Sequence, residues 1–357
     1  MGFDCKIPSK EFLDLRRKCL VKLKLLKEKR DFSDLHNEIL NIVGERLKQV
    51  EKRIGQRLRS PYIPIGEMGI YLAASPGKRL RPTLLLLVSN LLDYEGDEDI
   101  EYAVILEFIH TATLVHDDIV DQAILRRGRA SLNSKWGSQL AVLMGDYLYI
   151  SAVEMAVKRE WSQIQPIIAE TSKNLIEGEL LQSHKNFDLT LSEEEYFEII
   201  KLKTAKLFST CTIIPPMLSN RDKKEVDALY NFGLNIGMGF QIVDDCFDFL
   251  YDEKTIGKPA GMDLKEGKLT LPLIYLRDYG KISDKEFLEA VVAGRRFDNA
   301  TLESLSRIVV QGGFVNKAIS TAKQYVENAK KYLEVFPESE TKRVLEQIPQ
   351  MVIERSF

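Results

Sequence analysis

The sequence predicts an all-α protein, a single large helical bundle around a central cavity. Apolar residues recur three and four apart from about residue 33 onward, as in Phe232, Ile236, Phe240, Val243 and Phe247. Glycine and proline are sparse, and the alternating β-branched runs that would mark strands are rare. At 357 residues and 45% hydrophobic content the chain can bury a large core, and about a dozen helices are expected.

The first 32 residues read as a basic helical extension. Residues 1–30 hold ten Lys or Arg against four Asp or Glu, a local charge of +6 in a chain of net charge −3, which leaves −9 for residues 31–357. Phe12, Leu15, Cys19, Leu23 and Leu26 fall on one helical stripe. Such a helix is usually a solvated outer layer packed on the body; contact with a membrane surface is the minor reading. Residues 33–357 read as one domain. Its breaks, SPYIPIG (60–66), ASPG (74–77), residues 124–136 and IGKPAGMDLKEGK (256–268), are too short to be domain linkers.

Composition excludes several classes of function. With a sequence pI near 6.0 and no basic stripe interleaved with aromatics, nucleic acid is not an expected partner. Cys5, Cys19, Cys211 and Cys246 are scattered without paired spacing, which argues against a zinc site or a disulfide framework and for a reducing, cytoplasmic setting. A membrane-length apolar stretch and the apolar core of a signal peptide are both expected to be absent.

The chemistry concentrates in LVHDDIVDQAILRRG (114–128) and QIVDDCFD (241–248). In a helix Asp117 and Asp121 share a face with Asp118 beside them, and Asp244 and Asp248 do the same with Asp245. Either motif alone could be a solvated helix end. Two copies, each closing an apolar helix, point to carboxylates converging on cations, and an all-oxygen donor set suits Mg²⁺ better than Zn²⁺. Cationic clusters accompany them: Lys78, Arg79 and Arg81 in GKRLRP, then Arg126 and Arg127. Guanidinium groups grip phosphate oxygens in bidentate fashion, so a substrate, or two, bearing diphosphate is implied. His116 beside the aspartates lacks the further histidines of a metal-dependent phosphohydrolase. Cys246 reads as a small core residue, since Mg²⁺ disfavours thiolate.

GKRLRP, FIHTATLVHDDIVDQAILRRG, KLKTAKLF, GFQIVDDCFDF and GKPAGMDLKEGKLTLP stand in the order and spacing of the trans-isoprenyl diphosphate synthases, the polyprenyl synthetase family, which residues 33–357 resemble. The resemblance implies that an allylic diphosphate is ionised with the help of three Mg²⁺. The double bond of isopentenyl diphosphate then attacks the cation, and proton loss gives an allylic product five carbons longer. It assigns Lys78, Arg81, His110 and Arg127 to isopentenyl diphosphate, and Arg126, Lys203, Thr204 and Gln241 to the allylic substrate. Lys258 and Lys268 would close over the allylic diphosphate. Asp117, Asp121 and Asp244 would hold metal, with Asp118, Asp245 and Asp248 in support. It also implies a homodimer.

Product length is expected to follow from the tunnel beneath the first aspartates. Short-chain members plug it with an aromatic residue four or five positions earlier; here those positions are Thr113 and Ala112. Along the row through Thr113 come Ile109 and Ile105, the latter roughly 12 Å deeper at 1.5 Å per residue. At about 5 Å per isoprene from ordinary bond lengths, that admits two or three more units. A long product, hexaprenyl to decaprenyl, is therefore expected, with farnesyl or geranylgeranyl diphosphate as the alternative. A terpene cyclase would need neither GKRLRP nor a second aspartate motif, and a non-catalytic subunit of a heteromeric synthase would be expected to have lost one.

Overall fold

The computed structural model describes residues 32–74, 77–250 and 261–353. The basic extension up to residue 31, and Lys258 in the break before residue 261, lie outside the described residues.

In chain order the helices are α1 (Phe32–Arg57), α2 (Ile63–Ala73), α3 (Leu80–Leu91), α4 (Glu98–Val120), α5 (Leu132–Trp136), α6 (Ser138–Val157), α7 (Gln165–His184) and α8 (Glu193–Ile200). There follow a π-helical turn (Lys201–Ala205), α9 (Lys206–Leu218), α10 (Lys223–Leu250), α11 (Met262–Lys265), α12 (Leu271–Tyr279), α13 (Ile282–Ala293), α14 (Asn299–Gln311), α15 (Phe314–Tyr332) and α16 (Glu340–Ile353). Sixteen α-helices among the described residues exceed the expected dozen because short pieces such as α5 and α11 occupy stretches read as breaks.

The break at 124–136 also holds a small ribbon that helical periodicity could not reveal. Leu125–Arg126 (β1) pairs antiparallel with Arg129–Ala130 (β2). Arg127 (φ 52°) and Gly128 (φ 74°) form its turn, both in the left-handed region. A two-residue hairpin with both central residues there matches the twist of its strands, and it sets Arg127 at the apex.

Two apolar cores share α10. Leu229, Phe232 and Ile236 join one built from α1, α3, α4, α6, α9 and α16. Met238, Ile242, Val243, Cys246 and Phe249 join the other, built from α8 and α12–α15. Gly237 permits a close crossing: a Cβ there would lie 2.5 Å from Ala205 Cα. The π-helical turn is thereby pressed onto α10 just below its aspartates.

One expectation needs correction. Among the described residues α6 is long and apolar enough to cross a membrane, by length and composition. The hydropathy is shared between two sides of the helix. Ala141, Met144, Leu148 and Ala152 are buried, whereas Leu143, Ile150 and Val157 are exposed. The exposed side continues onto α7 through Ile176 and Leu180.

Candidate active site

Both aspartate motifs lie in the C-terminal parts of their helices, Asp117 and Asp118 on α4 with Asp121 as its C-cap, and Asp244, Asp245 and Asp248 on α10. A helix C-terminus is the negative end of the macrodipole, where carboxylates are disfavoured unless cations offset them. Burial pushes Asp117 up to about 6, with Glu179 and Asp121 adding to the shift. Burial and neighbouring Asp263 push Asp245 up to about 7. Burial, with the Asp263 charge, also holds Asp248 well above the usual carboxylate range.

Lysines neutralise part of this charge. Lys268 Nζ lies 3.1 Å from each oxygen of Asp121 and 2.7 Å from Glu266. Lys203 Nζ lies 2.5 Å from Glu179 on α7 and donates to Gln182 at 3.0 Å. A Cβ at Gly178 would fall 2.6 Å from the backbone nitrogen of Lys203, so only glycine lets α7 approach the π-helical turn this closely.

The six motif aspartates do not all face one space. Asp118 is buried and accepts from Arg126 Nε at 2.7 Å and Nη2 at 2.6 Å. Asp245 accepts from Tyr196 at 2.6 Å and from Gln241 at 2.8 Å, and Gln241 accepts in turn from Thr204 at 2.7 Å. Asp248 accepts from the backbone nitrogens of Met262 and Asp263, which begin α11. These three spend oxygens on protein donors. Asp117 and Asp121 meet lysines instead, Asp117 in the field of Lys203 and Asp121 against Lys268. Asp244 adds its charge to that felt by Asp245 and Asp263. Among the described residues no three Asp, Glu, His or Cys side chains converge closely enough to hold an ion. The donor set nevertheless fits Mg²⁺: it is all oxygen, and the carboxylates of Glu179 and Asp121 add to the burial that raises Asp117.

Sequence reasoning missed Asp263. It lies within the quoted GMDLKEG stretch, and burial pushes it up to about 6 while Lys268 and Lys203 oppose the shift. Its nearest charges come from α10 and the π-helical turn as well as from its own loop, a proximity that spacing along the chain does not encode. Glu179 was missed for the same reason.

A cavity opens beside α4, and of the residues expected to meet isopentenyl diphosphate only Arg127 lines it. Arg79, Arg126 and Arg127 line it together with Glu107, Asp118 and the apolar Tyr71, Leu114 and Leu132. Arg127 packs against Gly77, where a Cβ would lie 2.6 Å from its guanidinium. Arg81 lies with its guanidinium carbon 4.7 Å above the Phe208 ring, and its Nε is buried without a hydrogen-bond partner. Burial and the nearby Arg81 and Arg127 hold His110 well below the usual imidazole range, so it is neutral at ordinary pH. Lys78 is exposed at the edge of the same turn.

Ile109 and Ala112 are buried in the core, and Thr113 is half-buried, donating to the His110 carbonyl at 2.8 Å. His116 turns from the aspartates toward α6, with Nε2 3.3 Å from the Val142 carbonyl and from Asp146. Cys246 is buried in the second core.

The sequence profile of the polyprenyl synthetase family matches residues 64–309. The chain is 32% identical over 322 residues to the octaprenyl diphosphate synthase of Haemophilus influenzae, spanning 90% of this chain and 97% of that protein. Among solved structures, the polyprenyl synthase from Caulobacter crescentus, complexed with calcium and isoprenyl diphosphate, is similar at a TM-score of 0.85 and 33% identity over 89% of this chain and 97% of that one. A decaprenyl diphosphate synthase from Rhodobacter capsulatus is similar at a TM-score of 0.84 and 31% identity over 89% and 98%.

Proposed function

The chain belongs to the polyprenyl synthetase family and is a long-chain trans-prenyltransferase acting on isopentenyl and allylic diphosphates, and on that premise we propose how its residues divide the reaction. Asp117 and Asp121 on α4 and Asp244 on α10 hold Mg²⁺, three ions in all, with Asp118, Asp245 and Asp248 fixing the surrounding donors. When bound, Mg²⁺ neutralises the allylic diphosphate and eases its departure. Arg126, Lys203 and Lys268 take the charge of that leaving group, which is preorganised electrostatic stabilisation, and Lys258 is assigned the same role. Lys78, Arg81, His110 and Arg127 grip isopentenyl diphosphate.

Thr204 donates its proton to Gln241, and Gln241 donates to Asp245. This chain of donors turns the Thr204 oxygen lone pairs outward as the negative end of a dipole for the developing carbocation. The carbocation is then attacked by the isopentenyl double bond, and loss of a proton completes the five-carbon extension. The observation that carries the assignment is Lys268, which reaches Asp121 on α4 while sharing the field of Asp263 beside α10. It supports the reading that the two motifs serve one reaction centre.

The finer product range, hexaprenyl to decaprenyl, is supported by small, half-buried Thr113; the shorter farnesyl or geranylgeranyl product has the weaker support. A homodimer is supported by the exposed apolar side of α6 and α7. Buried, unpaired Cys211 and Cys246 are in keeping with a cytoplasmic location. The domain division at residue 33, and membrane-surface contact by the basic extension as a minor role, remain parts of the proposal. Incubation with isopentenyl and farnesyl diphosphates, with products separated by chain length, tests the whole reading; products no longer than geranylgeranyl would overturn the long-chain part.

A further inference from the structure

GKRLRP carries three cations, and the assignment above uses only Lys78 and Arg81. The third, Arg79, is committed to protein. Its Nη1 lies 2.5 Å from Glu107 Oε1, its Nη2 donates to Glu51 Oε2 at 3.1 Å, and its Nε donates to Glu51 Oε1. It caps the start of α3 with φ 52°, a left-handed conformation that a side chain bearing Cβ keeps only where its surroundings hold it. Glu107 is buried at 5% exposure on α4, one turn before His110. Its charge bears on Arg79, Arg81 and Arg127, three guanidinium groups carried by the turn, α3 and the hairpin apex.

Like charges gathered from separate elements splay apart unless a fixed counter-charge holds them. We propose that Glu107, acting through Arg79, is a positioning residue that sets the GKRLRP turn and the Arg127 apex at the separation required to grip the diphosphate of isopentenyl diphosphate, without itself touching substrate. The inference rests on the assignment of Arg81 and Arg127 to that diphosphate. Because Arg79 spends its fork on two carboxylates, it orients the turn and leaves the anion to its neighbours.

The test is steady-state kinetics of Glu107→Gln, Glu51→Gln and Arg127→Ala with each substrate varied in turn. Glu107→Gln should raise the KM for isopentenyl diphosphate about tenfold or more while kcat and the allylic KM change by less than about twofold. Glu51→Gln should show the same selectivity with a smaller rise. Glu51 is partly exposed, so this variant decides the matter if Glu107→Gln does not fold. An unchanged or lowered isopentenyl KM in both would overturn the proposal, since Glu107 would then be only a charge that weakens an anion site. Equal rises for both substrates, or a fall in kcat alone, would overturn it in favour of a general structural role. If Arg127→Ala raises the isopentenyl KM and neither Glu variant does, the positioning role fails and the diphosphate assignment stands. If Arg127→Ala leaves that KM unchanged, the assignment itself fails.

Discussion

Lys268 Nζ lies 3.1 Å from both carboxylate oxygens of Asp121, a residue 147 positions earlier in the chain. An ammonium and a divalent ion seek the same oxygens, so they compete until an arriving diphosphate offers the lysine another partner. Lys268→Gln should therefore bind Mg²⁺ several-fold more tightly than the unsubstituted protein in the absence of substrate, read by calorimetric titration, while its condensation rate falls. Equal Mg²⁺ affinity would show that the ammonium leaves Asp121 without cost.

The carboxylates fix the pH response of the metal-free protein. Asp117 and Asp263 are pushed up to about 6 and Asp245 to about 7, against 3.8 for an ordinary aspartate. The folded state therefore holds protons that the unfolded chain releases, and stability is greatest at the acid end of this window and falls as pH rises through the folded values. His110 acts oppositely: its lowered value makes it withdraw stability as pH drops below about 6.5. With four raised carboxylates, Asp248 among them, against one imidazole, protein in excess chelator should melt at a higher temperature at pH 5.5 than at pH 7.5. Asp117→Asn should flatten that slope and, with Mg²⁺ restored, slow condensation by orders of magnitude. A chelated melt that rises with pH contradicts the shifts; full activity in Asp117→Asn contradicts the metal assignment.

Arg126 and Arg127 adjoin in sequence but are held differently, Arg126 by Asp118 and Arg127 at the hairpin apex against Gly77. Arg126→Ala should raise the allylic KM more than the isopentenyl KM, and Arg127→Ala the reverse, each by about tenfold for the loss of a charge-assisted contact. Equal effects on both constants would mean that the two anion sites have been divided wrongly.

Thr113 and Ala112 separate two outcomes that the sequence left together. Ala112 is 1% exposed, so Ala112→Phe overpacks the core and should cost about 1 to 3 kcal/mol of stability. Half-buried Thr113 lies one turn from Asp117 on the same helical row. Thr113→Phe should leave the melting temperature nearly unchanged and shift products toward farnesyl and geranylgeranyl diphosphates, identified by mass spectrometry. An unchanged product distribution would place the length-setting wall on another helix.

What could be read in the sequence was local. Asp117 and Asp121, four apart, must share a helical face, and of the apolar row on α10 Phe232, Ile236 and Val243 are buried while Phe240 and Phe247 are half-buried. What could not be read was tertiary: that Arg126 turns onto Asp118, that Asp248 caps the first residues of α11, and that Asp263 comes beside α10. These depend on how a loop returns to the bundle. The hairpin had a signal of its own, a Gly directly after Arg127, but two-residue strands are too short for any periodicity to announce them.

The π-helical turn at Lys201–Ala205 carries one more residue than an α-helical turn would. Removing one residue from it would restore an ordinary helix and rotate α8 by about 100° relative to α9. Lys203 and Thr204 would lose their contacts with Glu179 and Gln241, and Tyr196, Ile199 and Ile200 on α8 would turn away from the second core, while the first core would persist. The bulge is thus a place where shape and reactivity can be inherited separately. A lineage that lost a single codon there would keep the first core and surrender the chemistry.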